Sequence, residues 1–253
     1  MANCCMRTLR AIYNHARKAA RGMPTENPVF AVDWNPEYRR DTGLGTADLL
    51  SWFGQVRALE NPLRCEMHLF LLLSGSRPEV IKRAKLEHLN LRERTLFAAE
   101  PKGRTRKAFY IPLSREMIRC TLRAIRLGRC IYPENLGVWL FPADSDSGHI
   151  VEHREARDQL SHWGNELRQT YRTVGQIAGV GDVDMHLLMN HSLPGVSAGY
   201  ITRSKLVGDH LRSAQQKISN AVCASIKRAK GALRIWPFLP SRHLVALRFG
   251  SYR

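Results

Sequence analysis

The sequence predicts a mainly α-helical protein with a small antiparallel β-sheet, an α+β arrangement in which the helices dominate. Three observations lead there. Apolar residues recur three and four apart, as at Leu9, Ile12, Tyr13 and Ala16, the spacing of one helix face. Three short runs, His88–Leu91, Thr95–Ala99 and Ala108–Leu113, are rich in strand-forming residues and separated by polar turns. A chain of 253 residues with 44% hydrophobic content is long enough to bury a core in one large domain.

The elements follow in order. Met6 to Ala20 has helix periodicity, and Gly22 to Gly45 is rich in Pro, Asn, Asp and Gly, the composition of a linker. Residues 1–22 are therefore read as the last helix of an N-terminal domain whose remainder lies outside this chain. Residues 23–45 are read as the linker, 46–223 as the main domain and 224–253 as a basic tail. Thr46 is predicted to cap a helix through Leu59, and a second helix is predicted from Pro62 to Leu73. Ser74-Gly75-Ser76-Arg77-Pro78 breaks that helix, and a short helix is expected over Glu79 to Lys85. After the three strands, Ser114 caps a helix to about Gly128. Helices are further predicted over Val151–Ala178, Asp184–Asn190, Val196–Lys205 and Val207–Lys230.

Charge narrows the function classes. Lys and Arg total 39 against 22 acidic residues, a net charge of +17 with a pI near 10.2. Such an excess favours a polyanionic partner, because each neutralised phosphate releases counterions. Nucleic acid is the first candidate, an anionic membrane surface the second and a ribosomal partner the third. No apolar run approaches the roughly 18 to 20 residues that span a bilayer, and the N-terminus has no apolar signal core. The six cysteines show no C-x-x-C pair, so they are read as reduced thiols of a cytoplasmic protein. His149 and His153 lie four apart without an acid or cysteine to complete a set, so neither a metal nor another cofactor is predicted.

Five short features carry the chemistry. They are Arg77 in Gly75-Ser76-Arg77-Pro78-Glu79, Lys102 in the turn Pro101-Lys102-Gly103-Arg104, and Arg168 in Asn165-Glu166-Leu167-Arg168. His191 in Leu188-Met189-Asn190-His191 follows, and then Tyr200 in Gly199-Tyr200-Ile201, nine residues later. Each alone has an ordinary structural reading: a solvated arginine at a helix break, a hairpin tip, an exposed helix face, a helix-end histidine, a half-buried core tyrosine.

Together and in this order they resemble the tyrosine recombinase (phage integrase) family. That family's first box reads roughly T-G-x-R-x-x-E, and its lysine sits in a β-hairpin. Its second box reads H-x-L-R-R-T, and an L-x-H precedes the nucleophilic tyrosine by nine residues. The resemblance spans about Thr46 to Lys205. It departs at Asn165, where the family has His or Lys, and at Gln169, where Arg is commoner.

The resemblance implies the family's catalytic fold and a site-specific recombinase or integrase, as found in mobile elements. Such an enzyme acts as a homotetramer on double-stranded DNA and needs neither metal nor cofactor. Arg77 and Arg168 would clamp the non-bridging phosphate oxygens, for which a guanidinium is suited because it stays charged and donates paired hydrogen bonds. Tyr200 would attack, His191 would take the proton or hold an oxygen, and Lys102 would protonate the departing 5′-hydroxyl, leaving a 3′-phosphotyrosyl link. Asn165 can donate to a phosphate oxygen but cannot transfer a proton at neutral pH.

Further basic residues are candidates for the DNA backbone. Arg115, Arg119, Arg123 and Arg126 share one helix face, and Lys82, Arg83 and Arg104 flank the Arg77 break and the hairpin. Two rival readings keep the charge and drop the reaction. One is an inactive DNA-binding remnant of an integrase, and the other is a basic nucleic-acid-binding protein of another kind.

Overall fold

A computed structural model of the chain describes residues 2–20, 22–38, 41–101, 108–135, 137–193 and 201–228. It divides into two units, Met1–Asp41 and Thr42–Arg253. In the first unit a helix, α1 (Ala2–Ala19), buries none of its residues and leaves Leu9 and Ile12 exposed. The residues after it fold back along the helix. Asn27 caps a 3-10 turn over Pro28–Ala31 and donates to Asn14 at 2.8 Å, while Arg7 pairs with Glu37 at 2.6 Å.

The second unit is mainly helical with a three-stranded antiparallel sheet. Its centre is α3 (Pro62–Ser74), in which Leu63 and every residue from Cys65 to Ser74 is buried. A helix that is apolar nearly all round must be surrounded, and it packs against α2 (Leu49–Ala58), α5 (Arg115–Ile131), α6 (Asn165–Ile177) and α9 (His210–Arg228). Asn61 starts α3 by accepting from the amides of Leu63 and Arg64, with Pro62 in the first turn. The one acid in this helix, Glu66, is matched by Arg123 of α5 through two bonds of 2.7 and 2.8 Å.

The sheet orders β1 (Leu89–Asn90), β2 (Thr95–Ala98) and β3 (Phe109–Pro112), with Leu96 opposite Ile111 and Ala98 opposite Phe109. Phe109 and Ile111 are buried while Tyr110 between them is exposed, the alternation of a sheet with one covered face. Three short helices complete the unit: α4 (Pro78–Lys82), α7 (Asp182–Leu188) and α8 (Arg203–Leu206). No helix among the described residues is long and apolar enough to cross a membrane.

Several elements differ from the sequence expectation, three of them in ways that bear on the packing. Residues 151–164 are not helical, although helix was predicted from Val151. Their polar groups are claimed from outside: Arg64 donates to the carbonyls of Glu152 and Arg154, and Trp52 Nε1 donates to His162 at 2.9 Å. These tertiary bonds replace the local ladder. The first helix of the second unit begins at Leu49 with Asp48 at the cap position, so Thr46 is not its cap. The helix predicted over Val196–Lys205 is reduced, among the described residues, to α8, because residues 201 and 202 before it are not helical.

Candidate active site

The break after α3 sets the first arginine. Gly75 closes the helix in the left-handed conformation at φ 58°, which glycine adopts without steric cost. A Cβ at this position would also collide with the ring of Tyr171. Arg77 is the cap residue of α4 with φ −70° and ψ 142°, the extended geometry that a following proline enforces. Among the described residues its guanidinium has no carboxylate partner.

Arg168, on α6, is only 8% exposed. Its Nη1 donates to the Gly75 carbonyl at 2.5 Å and its Nη2 to the Met189 carbonyl at 2.7 Å. The same Nη2 stands 2.5 Å from Nε2 of His191. One buried side chain therefore joins the end of α3 to the end of α7. The α7 end is itself closed by Asn190 at φ 51°, and the His191 amide donates to the His186 carbonyl at 2.8 Å. The rings of His186 and His191 meet edge to face with centroids 5.7 Å apart.

The electrostatics follow from this packing. Burial, and secondly the charge of Arg77, push Arg168 down to about 10, so it stays protonated at neutral pH. His191 is pushed down to about 4 by burial, then by Arg168 and Arg77, and is neutral at that pH. Because a guanidinium can only donate, Nε2 of His191 must be the acceptor and its proton sits on Nδ1. The result is two neighbouring cations without an acidic partner among the described residues, one of them, Arg168, touching a neutral imidazole. Such a cluster is suited to an anion that no side chain supplies.

The support behind it runs through α9. The Tyr171 hydroxyl donates to Gln215 at 2.8 Å, and Gln215 donates to the Leu73 carbonyl at 2.7 Å near the end of α3. Burial pushes the Tyr171 phenol well above its usual range, which makes it a neutral donor and no nucleophile.

Of the residues singled out in the sequence, Arg77, Arg168 and His191 are brought together. Asn165 is the first residue of α6, exposed, one helical turn before Arg168. Lys102, Arg104 and Tyr200 lie outside the described residues. Among the basic residues, Arg83, Arg115 and Arg119 are exposed. Two others serve the fold. Lys82 is buried, with Nζ 2.5 Å from the Val151 carbonyl and 2.6 Å from Glu79, and Arg123 is committed to Glu66. Sequence reading passed over Arg172, which adds to the positive field on His191 and could have been found four residues after Arg168 on the same helix. It also passed over Arg203, three residues after Tyr200. Among the described residues no three His, Cys, Asp or Glu side chains form a set that could hold a metal ion.

No family model and no curated protein matches this chain. Among solved structures it is similar to the integrase from mycobacterium phage Brujita, with a TM-score of 0.49 and 19% identity over 87% of this chain and 75% of that one.

Proposed function

We propose that Arg77, Arg168 and His191 receive a phosphodiester of double-stranded DNA, and that the chain breaks and rejoins DNA strands as a site-specific recombinase of the tyrosine type. The observation that carries this reading is the buried Arg168 in hydrogen-bond contact with the His191 imidazole, with Arg77 near enough to add to the burial that depresses it and no carboxylate paired with either guanidinium among the described residues. The net charge of +17 supports a polyanionic substrate.

Attack builds negative charge on the non-bridging oxygens, which two fixed guanidiniums stabilise most as the charge develops. The Tyr200 oxygen forms a bond to phosphorus, and the bond from phosphorus to the 5′-oxygen breaks. In the free protein the acceptor lone pair of His191 is held by Arg168. A phosphate oxygen that takes over the Arg168 Nη2 donor frees that lone pair, so His191 can accept the phenolic proton. Lys102 supplies a proton to the departing 5′-oxygen. One phosphodiester is exchanged for another, so rejoining requires no energy source. A homotetramer on paired DNA sites is the assembly this chemistry serves.

A second reading, binding without cutting, rests on Asn165, which stands where a proton-transferring side chain would be expected. Covalent trapping separates the two. Incubation with a pool of nicked duplexes of randomised sequence should give an SDS-resistant protein–DNA adduct that is absent in Tyr200→Phe. Salt-sensitive binding without an adduct would favour the second reading.

A further inference from the structure

Arg203 begins α8, and its guanidinium is enclosed. It lies over the face of Phe109 in β3, 4.6 Å from the ring centroid, and its Nη1 donates to Oδ1 of Asn190 at 2.6 Å. Its Nε and Nη2 are buried and, among the described residues, have no hydrogen-bond partner. No carboxylate faces it there either, and burial pushes it down to about 10. A cation so enclosed, with two donors unmet among the described residues, is a poor choice for stability, since an apolar side chain on Phe109 would avoid the desolvation. The aromatic face recovers part of that cost.

Its placement gives it another use. The turn Met189-Asn190-His191 is gripped by two arginines: Arg168 takes the Met189 carbonyl and the His191 ring, and Arg203 takes the Asn190 side chain. Phe109 lies on the strand that follows the Lys102 hairpin, and Tyr200 lies three residues before Arg203 in the sequence. One side chain thus joins β3, the turn that carries His191 and the start of α8, and the positions to which the proposed function assigns Lys102 and Tyr200 adjoin β3 and α8 in the sequence.

We propose that Arg203 is a positioning residue that fixes the His191 turn and the start of α8 relative to β3, and through them the alignment of the attacking and proton-accepting groups. This rests on the recombinase reading and names a residue on which its rate depends.

The test uses the full chain and two variants. Arg203→Met removes the donors while keeping an apolar side chain on Phe109. Asn190→Gly removes the acceptor and retains a residue at ease at positive φ. Arg203→Met should unfold at or above the parent temperature, and both variants should bind a nicked duplex with unchanged affinity. Both should form the covalent adduct about 10- to 100-fold more slowly, the scale of a small misplacement. The double variant should lose little more than either single one. In the DNA-free protein, the His191 ring followed by NMR should titrate closer to an ordinary histidine in each variant.

Parent-like adduct formation with an unchanged His191 titration overturns the proposal, and so does a rate loss that merely tracks a fall in melting temperature. If the parent protein forms no adduct with any duplex, the recombinase reading fails. The His191 titration then decides alone whether Arg203 holds that turn.

Discussion

Arg168 Nη2 and His191 Nε2 stand 2.5 Å apart, and this contact fixes the tautomer of the histidine. Burial, then Arg168 and Arg77, oppose protonation of His191 and push it down to about 4. Arg168→Gln and Arg77→Gln should each move the ring's titration upward, read by NMR of the free protein. The linkage has a definite sign. The folded value lies below the unfolded one of about 6.5, so in this window the unfolded chain binds more protons and stability falls as pH drops from about 6.5 towards 4. Removing Arg168 should flatten that slope. On the proposed function it should also slow adduct formation by about 100- to 1000-fold, the usual loss when one preorganised donor at a developing oxyanion is removed.

Arg119 and Arg123 lie one turn apart on α5 and should respond in opposite ways. Arg123 is bound by both ends of the Glu66 carboxylate, whose side chain is 3% exposed. Arg123→Ala strands that carboxylate in the core and should cost about 3 kcal/mol, seen as a lower urea midpoint. Arg119 is exposed, so Arg119→Ala should leave the midpoint unchanged. On the proposed function it should weaken DNA binding at all sequences and lower the salt dependence by about one phosphate contact. An Arg119→Ala protein with an unchanged salt slope would remove α5 from the DNA-facing surface.

These two residues also show what the sequence could and could not disclose. Period and helix-end signals made several helices legible: Pro62 and Gly75 mark the ends of α3, and Ser114 caps α5 by accepting from Met117. The resemblance brought forward Arg77, Arg168 and His191, and the structure sets Arg168 against His191 with Arg77 near enough to act on both. The partner of each arginine was not legible, because Glu66 and Arg123 are 57 residues apart and only packing joins them. The segment 151–164 misled for the same reason, as its backbone is held by Arg64 and Trp52 from other helices. Arg203 carried no local signal, since a buried arginine and a surface one look alike in sequence.

Glu155 in that segment should govern part of the acid sensitivity. Burial alone would raise its carboxyl, but hydrogen bonds from His68 at 2.8 Å and Arg64 at 2.6 Å outweigh it, and the group is held below the usual carboxylate range. His68, pushed down by burial despite Glu155, is the neutral donor through Nε2, and its Nδ1 has no partner among the described residues. A depressed carboxylate stabilises the fold above its unfolded value of about 4.3, and that contribution is lost as pH falls through the lower folded value. Glu155→Gln should therefore lose about 1–3 kcal/mol at neutral pH and show a shallower decline in acid. Equal stability of the two proteins at pH 7 would mean that the ion pair contributes nothing.

Gly75 links the fold to the site, and its substitution should damage both. At φ 58° an L side chain costs about 1–2 kcal/mol in the backbone alone. The Cβ of Gly75→Ala would also meet the Tyr171 ring, an overpacking that typically adds about 1–3 kcal/mol. Tyr171 cannot retreat freely, because its hydroxyl is held by Gln215, which also holds the Leu73 carbonyl. The strain must therefore pass to the Gly75 carbonyl, where Arg168 Nη1 is bound. Gly75→Ala should lower the melting temperature and, at temperatures where it remains folded, shift the His191 titration as Arg168 moves. Gly75→Asn, whose residue tolerates left-handed φ better but brings the same Cβ, separates the two causes. If it recovers most of the lost stability, backbone strain dominates, and if it does not, the contact with Tyr171 is what makes glycine necessary.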